Sequence, residues 1–388
     1  MTRQRNMTRT RQTVAIVAFG ALAFGVLGAC GGDDGAEPGT SAPQDIEDVV
    51  AGAAFPDSRC VANRAAGPIT FLSSFDFAAT ASIVEVLVAE QRGYFDDLCL
   101  DVTVKPSFST TNYPLIAAND AQFSSGGSFS EVLNFANAND AEFVVLAVEG
   151  HTAIDSLIVK EGEAETLEDL RGTTIGVKGK ITPSVAAMLA GADLIEGRDY
   201  ETVLIEGFDP LVHIELPDIV GFPGYKSNEP GQLERAGVPF TLFDPSEFGV
   251  PGSFGIIYTN ATFLTEHPTA AEDFMRAAMK GLAESLADPA AASAVALALI
   301  NANGNPNFLS PEGEVFRWQV EAQLILDTTP QDSFPGVPHE SGLQAEVDAY
   351  HEIGLFGDTA PAIEGRFDPD LVRGLYGDDG SVVWPAFD

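Results

Sequence analysis

Two loops rich in glycine and hydroxyl side chains stand between a predicted strand and a predicted helix, at residues 124–128 and 179–184. Glycine lets a ligand approach the backbone, and free N–H groups at a helix start hold an anion or a carbonyl oxygen. A plain strand–helix turn is the structural alternative. The candidate binding residues in these loops are Ser124, Ser125, Gly126, Gly127, Lys180, Thr182 and Ser184.

A second set of candidate residues suits a planar ring that carries amino groups. Phe75 can stack on such a ring, and Asp76 beside it can accept a hydrogen bond from an amino group. Tyr225, Asn228 and Glu229 follow another predicted strand, and a carboxylate with an amide suits the donor–acceptor edge of a pyrimidine or a flavin. Core packing of the phenylalanine and an exposed turn at residues 225–229 are the alternatives.

The sequence contains no recognisable catalytic constellation. It has no P-loop, no Gly-x-Gly-x-x-Gly motif and no Ser/His/Asp order with a supporting local motif. Its five histidines lack the close paired spacing of metal ligands. We therefore expect a protein that binds rather than an enzyme, with no metal and no cofactor.

The N-terminus has the order of a lipoprotein signal peptide. Four arginines and no acid precede an apolar run over residues 14–27, which is too short for a permanent membrane span. Leu27-Gly28-Ala29-Cys30 follows and resembles the bacterial lipobox, in which the cysteine thiol receives a lipid. We predict a signal peptide over residues 1–29, lipidation of Cys30, and an anchor and flexible tether over residues 30–66.

The charge of the chain excludes one class of partner. Loss of residues 1–29 would remove four arginines and no acid, which leaves 16 basic against 57 acidic residues and a net charge of −41. Phosphate binding needs clustered Lys and Arg, so we expect no nucleic acid partner. With 45% hydrophobic residues, the chain is composed like a folded body with a solvated acidic surface rather than a disordered acidic tail.

Two cysteines remain after Cys30, at Cys60 and Cys99. An exported chain meets an oxidising compartment, so this pair predicts a disulfide that closes a loop of about 40 residues. Two separate thiols are the alternative.

The order of elements predicts an α/β fold with two lobes. Short apolar runs, such as residues 142–148 and 240–243, alternate with helical stretches, and helices such as 269–287 dominate the end of the chain. Capping-box patterns at Ser82–Glu85 and Ser128–Glu131 indicate two helix starts, and Thr182 before Pro183 indicates a third. We predict a discontinuous first lobe of residues 67–155 and 253–388, and an inserted second lobe of residues 156–252. Each lobe is expected to hold a mainly parallel sheet flanked by helices.

Three stretches resemble type II periplasmic binding proteins of the branch that binds sulfonates and thiamine-pyrimidine precursors (SsuA/ThiY-like). Residues 93–103 are similar to the "GYF-EE-GLDV" signature of those proteins. Residues 166–177 are similar to their "L-DL-GK-IGV" entry into the second lobe, and residues 225–237 resemble the same branch. The resemblance covers about residues 67–300 and implies the two-lobed fold with a ligand cleft between the lobes.

The resemblance also implies the solute receptor of an ABC importer. We expect a monomer, held by its lipid at the outer face of the cell membrane, that delivers a small molecule to a permease. The few basic residues favour a planar amino-bearing solute, such as a thiamine pyrimidine precursor or a flavin, over the sulfonate, taurine or nitrate that the branch also binds. A thiamine-pyrimidine synthase on the same fold is the enzymatic alternative, although its Cys-rich "CCCFC" motif is absent. A lipoprotein that senses or adheres is a third possibility.

Overall fold

The computed structural model describes residues 46–306 and 309–387. The predicted signal peptide, Cys30 and the tether up to residue 45 lie outside the described residues. The tether prediction extends too far at its other end, because Asp57–Ala65 form helix α1. Arg59 and Asn63 of this helix are buried, and both hydrogen-bond to the carboxylate of Asp273, at 2.6 and 2.7 Å.

Ten strands form two sheets of five. The first sheet has the order β2 (Asp101–Lys105), β1 (Pro68–Leu72), β3 (Phe123–Gly126), β10 (Phe254–Asn260) and β4 (Phe143–Gly150). The second sheet has the order β7 (Glu201–Leu204), β6 (Thr174–Val177), β8 (Gly221–Tyr225), β5 (Asp155–Lys160) and β9 (Phe240–Phe243). In each sheet one strand, β10 or β5, is antiparallel to its two neighbours.

Helices flank both sheets and dominate the end of the chain. They are α2 (Val84–Arg92), α3 (Tyr94–Asp97), α4 (Ser109–Ala117), α5 (Phe129–Asn139), α6 (Pro183–Gly191), α7 (Pro210–Ile214), α8 (Glu229–Ala236), α9 (Ala261–Glu266), α10 (Pro268–Ala287), α11 (Pro289–Asn303), α12 (Pro311–Thr328), α13 (Glu340–Glu352) and α14 (Pro369–Arg373). Short 3-10 helices lie at Leu167–Leu170 and Pro245–Phe248. Within the described part of the chain, no single helix has the length and apolar character to cross a membrane, although the pair α10 and α11, bent by 118°, meets both criteria together.

The three predicted helix starts have different outcomes. Ser128 caps α5 by accepting the backbone N–H of Glu131 at 3.2 Å, which confirms that start. Thr182 stands before α6 with proline at the first position, but its hydroxyl makes no capping bond. The box at Ser82 is wrong, because α2 begins at Val84 and Ser82 takes a left-handed backbone conformation with φ of 63°.

Each sheet is covered by its own apolar core. Beside the first sheet, Phe123 and Phe274 stack with ring centroids 3.9 Å apart, and Phe95 stacks on the same Phe274 ring at 5.1 Å. The second sheet packs Leu157 and Ile175 against α6. Cys60 of α1 and Cys99, which precedes β2, form a disulfide with their Cα atoms 5.2 Å apart.

Candidate functional site

The chain passes between the two sheets twice, through residues 151–154 after β4 and residues 244–253 after β9. These two crossings pack directly against each other. A Cβ atom at Gly252 would lie 2.6 Å from the backbone nitrogen of Ala153, so only glycine permits this approach. The junction between the sheets is therefore narrow and closely packed.

A cavity opens beside this junction. Its lining comes from the loop after β3, from the start of α5, from both crossings, from the start of β5, from the start of α6, from the end of β8 and from α13. The lining residues are Gly127, Ser128, Glu131, Ala153, Ile154, Asp155, Pro183, Ser184, Tyr225, Ser253 and Tyr350. Because β3 and β8 end at this cavity and α6, the helix that follows β6, begins at it, the cavity has the position that ligands usually take in open α/β sheets. The volume of the cavity is about 20 Å³.

Two carboxyl groups face this cavity. Burial raises the pKa of Asp155 to about 7, and the negative charge of Glu131 adds to this shift. The Ser184 hydroxyl donates a hydrogen bond to Asp155 at 3.2 Å. Desolvation by the surrounding protein also raises the pKa of Glu131, whose side chain still reaches solvent. The positive charge of Lys180 lowers this pKa and so opposes the shift. The wall of the cavity is therefore rich in acceptors and carries negative charge as its carboxyl groups ionise.

Two tyrosine rings complete the cavity. Tyr350 donates its hydroxyl to the carbonyl of Pro251 at 3.1 Å, which fixes the ring of α13 against the second crossing. Tyr225 is 45% exposed at the end of β8, so its ring is available to a solute. Aromatic faces beside carboxylates suit a flat molecule that carries N–H donors.

Three of the residues predicted from the sequence line the cavity, namely Gly127, Ser184 and Tyr225. Ser124 and Ser125 are instead fully buried in the first sheet. The Ser124 hydroxyl donates to the carbonyl of Leu72 at 3.0 Å, and the Ser125 hydroxyl accepts the N–H of Ser74 at 2.6 Å.

The remaining predicted residues of these loops have three different settings. At Gly126, a Cβ atom would meet the side chain of Val132 at 3.0 Å, so this glycine allows close packing of α5. Lys180 is exposed, and the Thr182 hydroxyl is buried without a hydrogen-bond partner in the described structure.

The predicted pair Phe75 and Asp76 lies away from the cavity. Asp76, with φ of 51°, accepts the backbone N–H groups of Phe77, at 2.8 Å, and of Asn305. Phe75 lies edge-on to Phe108 and faces the guanidinium of Arg317 at 5.8 Å. Both side chains are thus engaged within the protein.

The predicted pair Asn228 and Glu229 is engaged in the same way. Glu229 accepts the backbone N–H of Tyr225 at 2.8 Å and pairs with Lys178 at 3.0 Å. Asn228 accepts from Arg317 at 2.9 Å. These bonds orient the loop that presents Tyr225 to the cavity.

Sequence reasoning missed Glu131, Asp155 and Tyr350 as cavity residues. Glu131 stood in a capping-box pattern, where its interpretation as a helix start hid its position at the cavity. Asp155 at a strand start is one acid among many, and no local motif marks Tyr350 in α13. Among residues 46–306 and 309–387, no three His, Cys, Asp or Glu side chains are arranged to hold a metal.

Comparisons with known proteins agree on family and fold. The family model described as NMT1/THI5 like matches residues 80–292, more than half of the chain. The Riboflavin-binding protein RibY of Chloroflexus aurantiacus is 28% identical over 167 residues, which are 42% of this chain and 44% of that protein. The chain thus matches less than half the length of this curated relative.

Solved structures show the fold alone, because their identities are low. A putative periplasmic sulfonate-binding protein SsuA from Methylobacillus flagellatus has a TM-score of 0.57 at 16% identity, covering 79% of this chain and 92% of that chain. The periplasmic nitrate-binding protein NrtA from Synechocystis has a TM-score of 0.57 at 12% identity, covering 79% and 87%. The expected two-sheet fold of periplasmic binding proteins is therefore confirmed, and the chain belongs to the NMT1/THI5-like family.

Proposed function

We propose that this chain is the extracytoplasmic solute receptor of an ABC importer and captures a small molecule in the cavity between its two sheets. The observation that carries the proposal is the position of the cavity, where strand ends of both sheets converge beside both crossings. Relatives of the same fold are named as periplasmic sulfonate- and nitrate-binding proteins, and a sequence relative is named as a riboflavin-binding protein. These names support a receptor rather than an enzyme.

The solute that suits this cavity is a planar heterocycle with N–H donors, such as a thiamine pyrimidine precursor or a flavin. Asp155 and Glu131 supply acceptors, and Tyr225 and Tyr350 supply flat faces. A sulfonate or nitrate suits the cavity poorly, because its charge would meet two carboxyl groups. Hydrogen bonds to charged groups contribute about 1.5–3 kcal/mol each, so the carboxylates select for donors.

Capture requires movement of the two sheets. A cavity of about 20 Å³ admits about one water molecule, so a heterocycle enters only after the two sheets separate. The proposed lobes, residues 67–155 with 253–388 and residues 156–252, turn at the two crossings. Because only the closed form contacts a solute from both sides, binding shifts the population toward closure.

A panel of solutes tests the proposal directly. We expect hydroxymethylpyrimidine, formyl-aminopyrimidine or riboflavin to raise the melting temperature of the purified protein in a saturable way, because only the folded protein binds. Taurine and nitrate are expected to leave it unchanged. Stabilisation by taurine or nitrate alone would contradict the heterocycle proposal, and stabilisation by no member of a broad panel would argue against a solute receptor.

A charge-removing variant then locates the site. Asp155→Asn is expected to weaken binding of the stabilising heterocycle by about 10-fold or more, since it loses a charged acceptor. Glu215→Gln is the matched control, because Glu215 is an exposed acid of the second-sheet region outside the cavity. Calorimetric titration measures both. Equal affinities in the two variants would place the solute elsewhere.

We also propose that the lipid on Cys30 holds the receptor within reach of its permease. The proposal rests on the arginine-rich start, the apolar run and the lipobox-like residues. Expressed as the full chain in a bacterial host, the protein is expected to partition into the detergent phase. The Cys30→Ala variant is expected to move to the aqueous phase, and a variant that still partitions with detergent would contradict lipidation at this residue.

A further inference from the structure

One face of α12 carries three charged side chains that reach inside the protein. Glu314, Arg317 and Glu321 are spaced three and four residues apart, so they lie along the same side of the helix. Their exposed fractions are 0%, 5% and 2%. Glu314 and Arg317 form an ion pair at 2.8 Å. Charges at this depth need partners, and those partners lie on loops of both sheets.

On the first-sheet side, the two carboxylates bind the turn that leads from β1 into α2. Glu314 accepts the backbone N–H of Ala79 at 2.5 Å, and Glu321 accepts the N–H of Ala81 at 2.6 Å. Glu321 also accepts the hydroxyl of Thr80. Backbone N–H groups that converge just before a helix form a binding place for anions. Here the protein fills that place with its own carboxylates.

On the second-sheet side, the same helix binds the loop after β8. The other oxygen of Glu321 accepts the Ser227 hydroxyl at 2.6 Å, and Arg317 donates to the Asn228 side chain at 2.9 Å. Ser227 is fully buried by this contact. A single carboxylate therefore joins a loop of the first sheet to a loop of the second, as a bound solute does in a closed receptor.

We infer that α12 acts as an internal ligand of the cleft, with Glu314 and Glu321 occupying the N–H groups of Ala79 and Ala81 and thereby excluding anionic solutes from them. A free carboxylate, sulfonate or nitrate at this turn would have to displace two buried carboxylates. The part of the cleft left to a solute is the cavity lined by Asp155 and Glu131, whose charge also disfavours anions. The role of α12 in solute choice rests on the proposed function, whereas the occupied turn is a property of the fold.

The inference predicts that an anion site appears when the two carboxylates are removed. The variant Glu314→Ala/Glu321→Ala frees the N–H groups of Ala79 and Ala81 and leaves Arg317 without its carboxylate partner. We expect sulfate to raise its melting temperature by several degrees in a saturable way, measured against chloride at equal ionic strength. Sulfate stabilises many proteins without binding at a site, so the reference is Glu312→Ala, which removes an exposed acid from the same helix.

Hydrogen exchange of individual backbone amides locates the bound sulfate. In the double variant, the amides of Ala79 and Ala81 are expected to exchange faster than in the wild type and to slow again when sulfate is added. If sulfate stabilises the double variant no more than Glu312→Ala, or slows exchange only elsewhere, the inference is wrong. If the double variant does not fold, Glu314→Ala alone is subjected to the same comparison.

The proposed function and the inference about α12 are tested by separate experiments. The solute panel uses the wild-type protein and its cavity, whereas the sulfate experiment uses a variant and reads the turn at residues 79–82. If no solute stabilises the wild-type protein, the proposed function is contradicted, whereas a positive sulfate result still supports the inference about α12. If sulfate has no effect on the double variant, the inference about α12 is contradicted, whereas solute binding by the wild type still supports the proposed function.

Discussion

Raising the pH from 5 to 9 is expected to lower the free energy of unfolding markedly, and Glu85→Gln is expected to remove much of that loss. Glu85 of α2 and Glu149 of β4 are both fully buried. Burial raises the pKa of Glu85 from 4.5 to about 8, and burial together with the Glu85 charge raises that of Glu149. The Glu85 carboxyl hydrogen-bonds to that of Glu149, and Glu149 also accepts the backbone N–H of Ser82 at 3.2 Å.

The sign follows from proton binding. A carboxyl whose pKa is higher in the folded state stabilises the fold fully below its unfolded pKa, and this contribution is lost as the pH rises through the folded value. For Glu85 the window runs from pH 4.5 to about 8, and the loss is on the order of 4 kcal/mol. Glutamine has the shape of glutamate but carries no charge. Its side-chain amide donates a hydrogen bond to Glu149 at every pH.

Urea unfolding at several pH values measures this effect. Glu312→Gln serves as the control because it removes the same charge from an exposed position. The wild type and the control are expected to lose stability together between pH 5 and 8, while Glu85→Gln loses less. Other buried carboxyl groups with raised pKa, including Glu321 and Glu346, keep part of the slope in all three proteins. A wild type with constant stability over this range would contradict the raised pKa of Glu85.

Removing the disulfide is expected to cost a similar amount of stability. The bond between Cys60 and Cys99 closes a loop over a sequence separation of 39 residues. In the chain-entropy model such a loop stabilises the folded state by roughly 4 kcal/mol. The Cys60→Ser/Cys99→Ser variant should therefore unfold at a clearly lower urea concentration than the wild type.

Reduction of the wild type provides an independent measurement of the same bond. Dithiothreitol is expected to lower the wild-type midpoint toward that of the double serine variant and to leave the variant unchanged. Helix α1 also docks through Arg59 and Asp273, so it is expected to remain in place at low urea. An unchanged wild-type midpoint on reduction would show that the bond contributes little.

The fold does not by itself select the solute. Structures of very similar architecture belong to proteins named for sulfonate and nitrate binding. The cavity of this chain instead presents Asp155 and Glu131, and its α12 supplies carboxylates to a turn that has the features of an anion site. Ligand choice within one architecture thus depends on a few side chains.

The sequence by itself determined the alternation of strands and helices, because each element carries its own periodicity and its own start and stop residues. The strand predicted at 240–243 is β9, and residues 124–128 and 179–184 do lead from a strand into a helix, although 124–126 belong to β3 and 183–184 to α6. Element ends are less closely determined, since the apolar run at 142–148 predicts a strand that is observed at Phe143–Gly150. Hydrophobic pattern locates an element, whereas tertiary hydrogen bonds decide where it ends.

Only the tertiary structure decided which polar side chains remain available to a solute. Asn228 and Asp76 read as ligand residues in sequence, yet each is engaged by another part of the chain. Glu314 accepts from Ala79 across 235 residues of sequence, and no local pattern marks such a pair. A buried polar group must find a partner, and folding determines whether that partner is a solute or a distant helix.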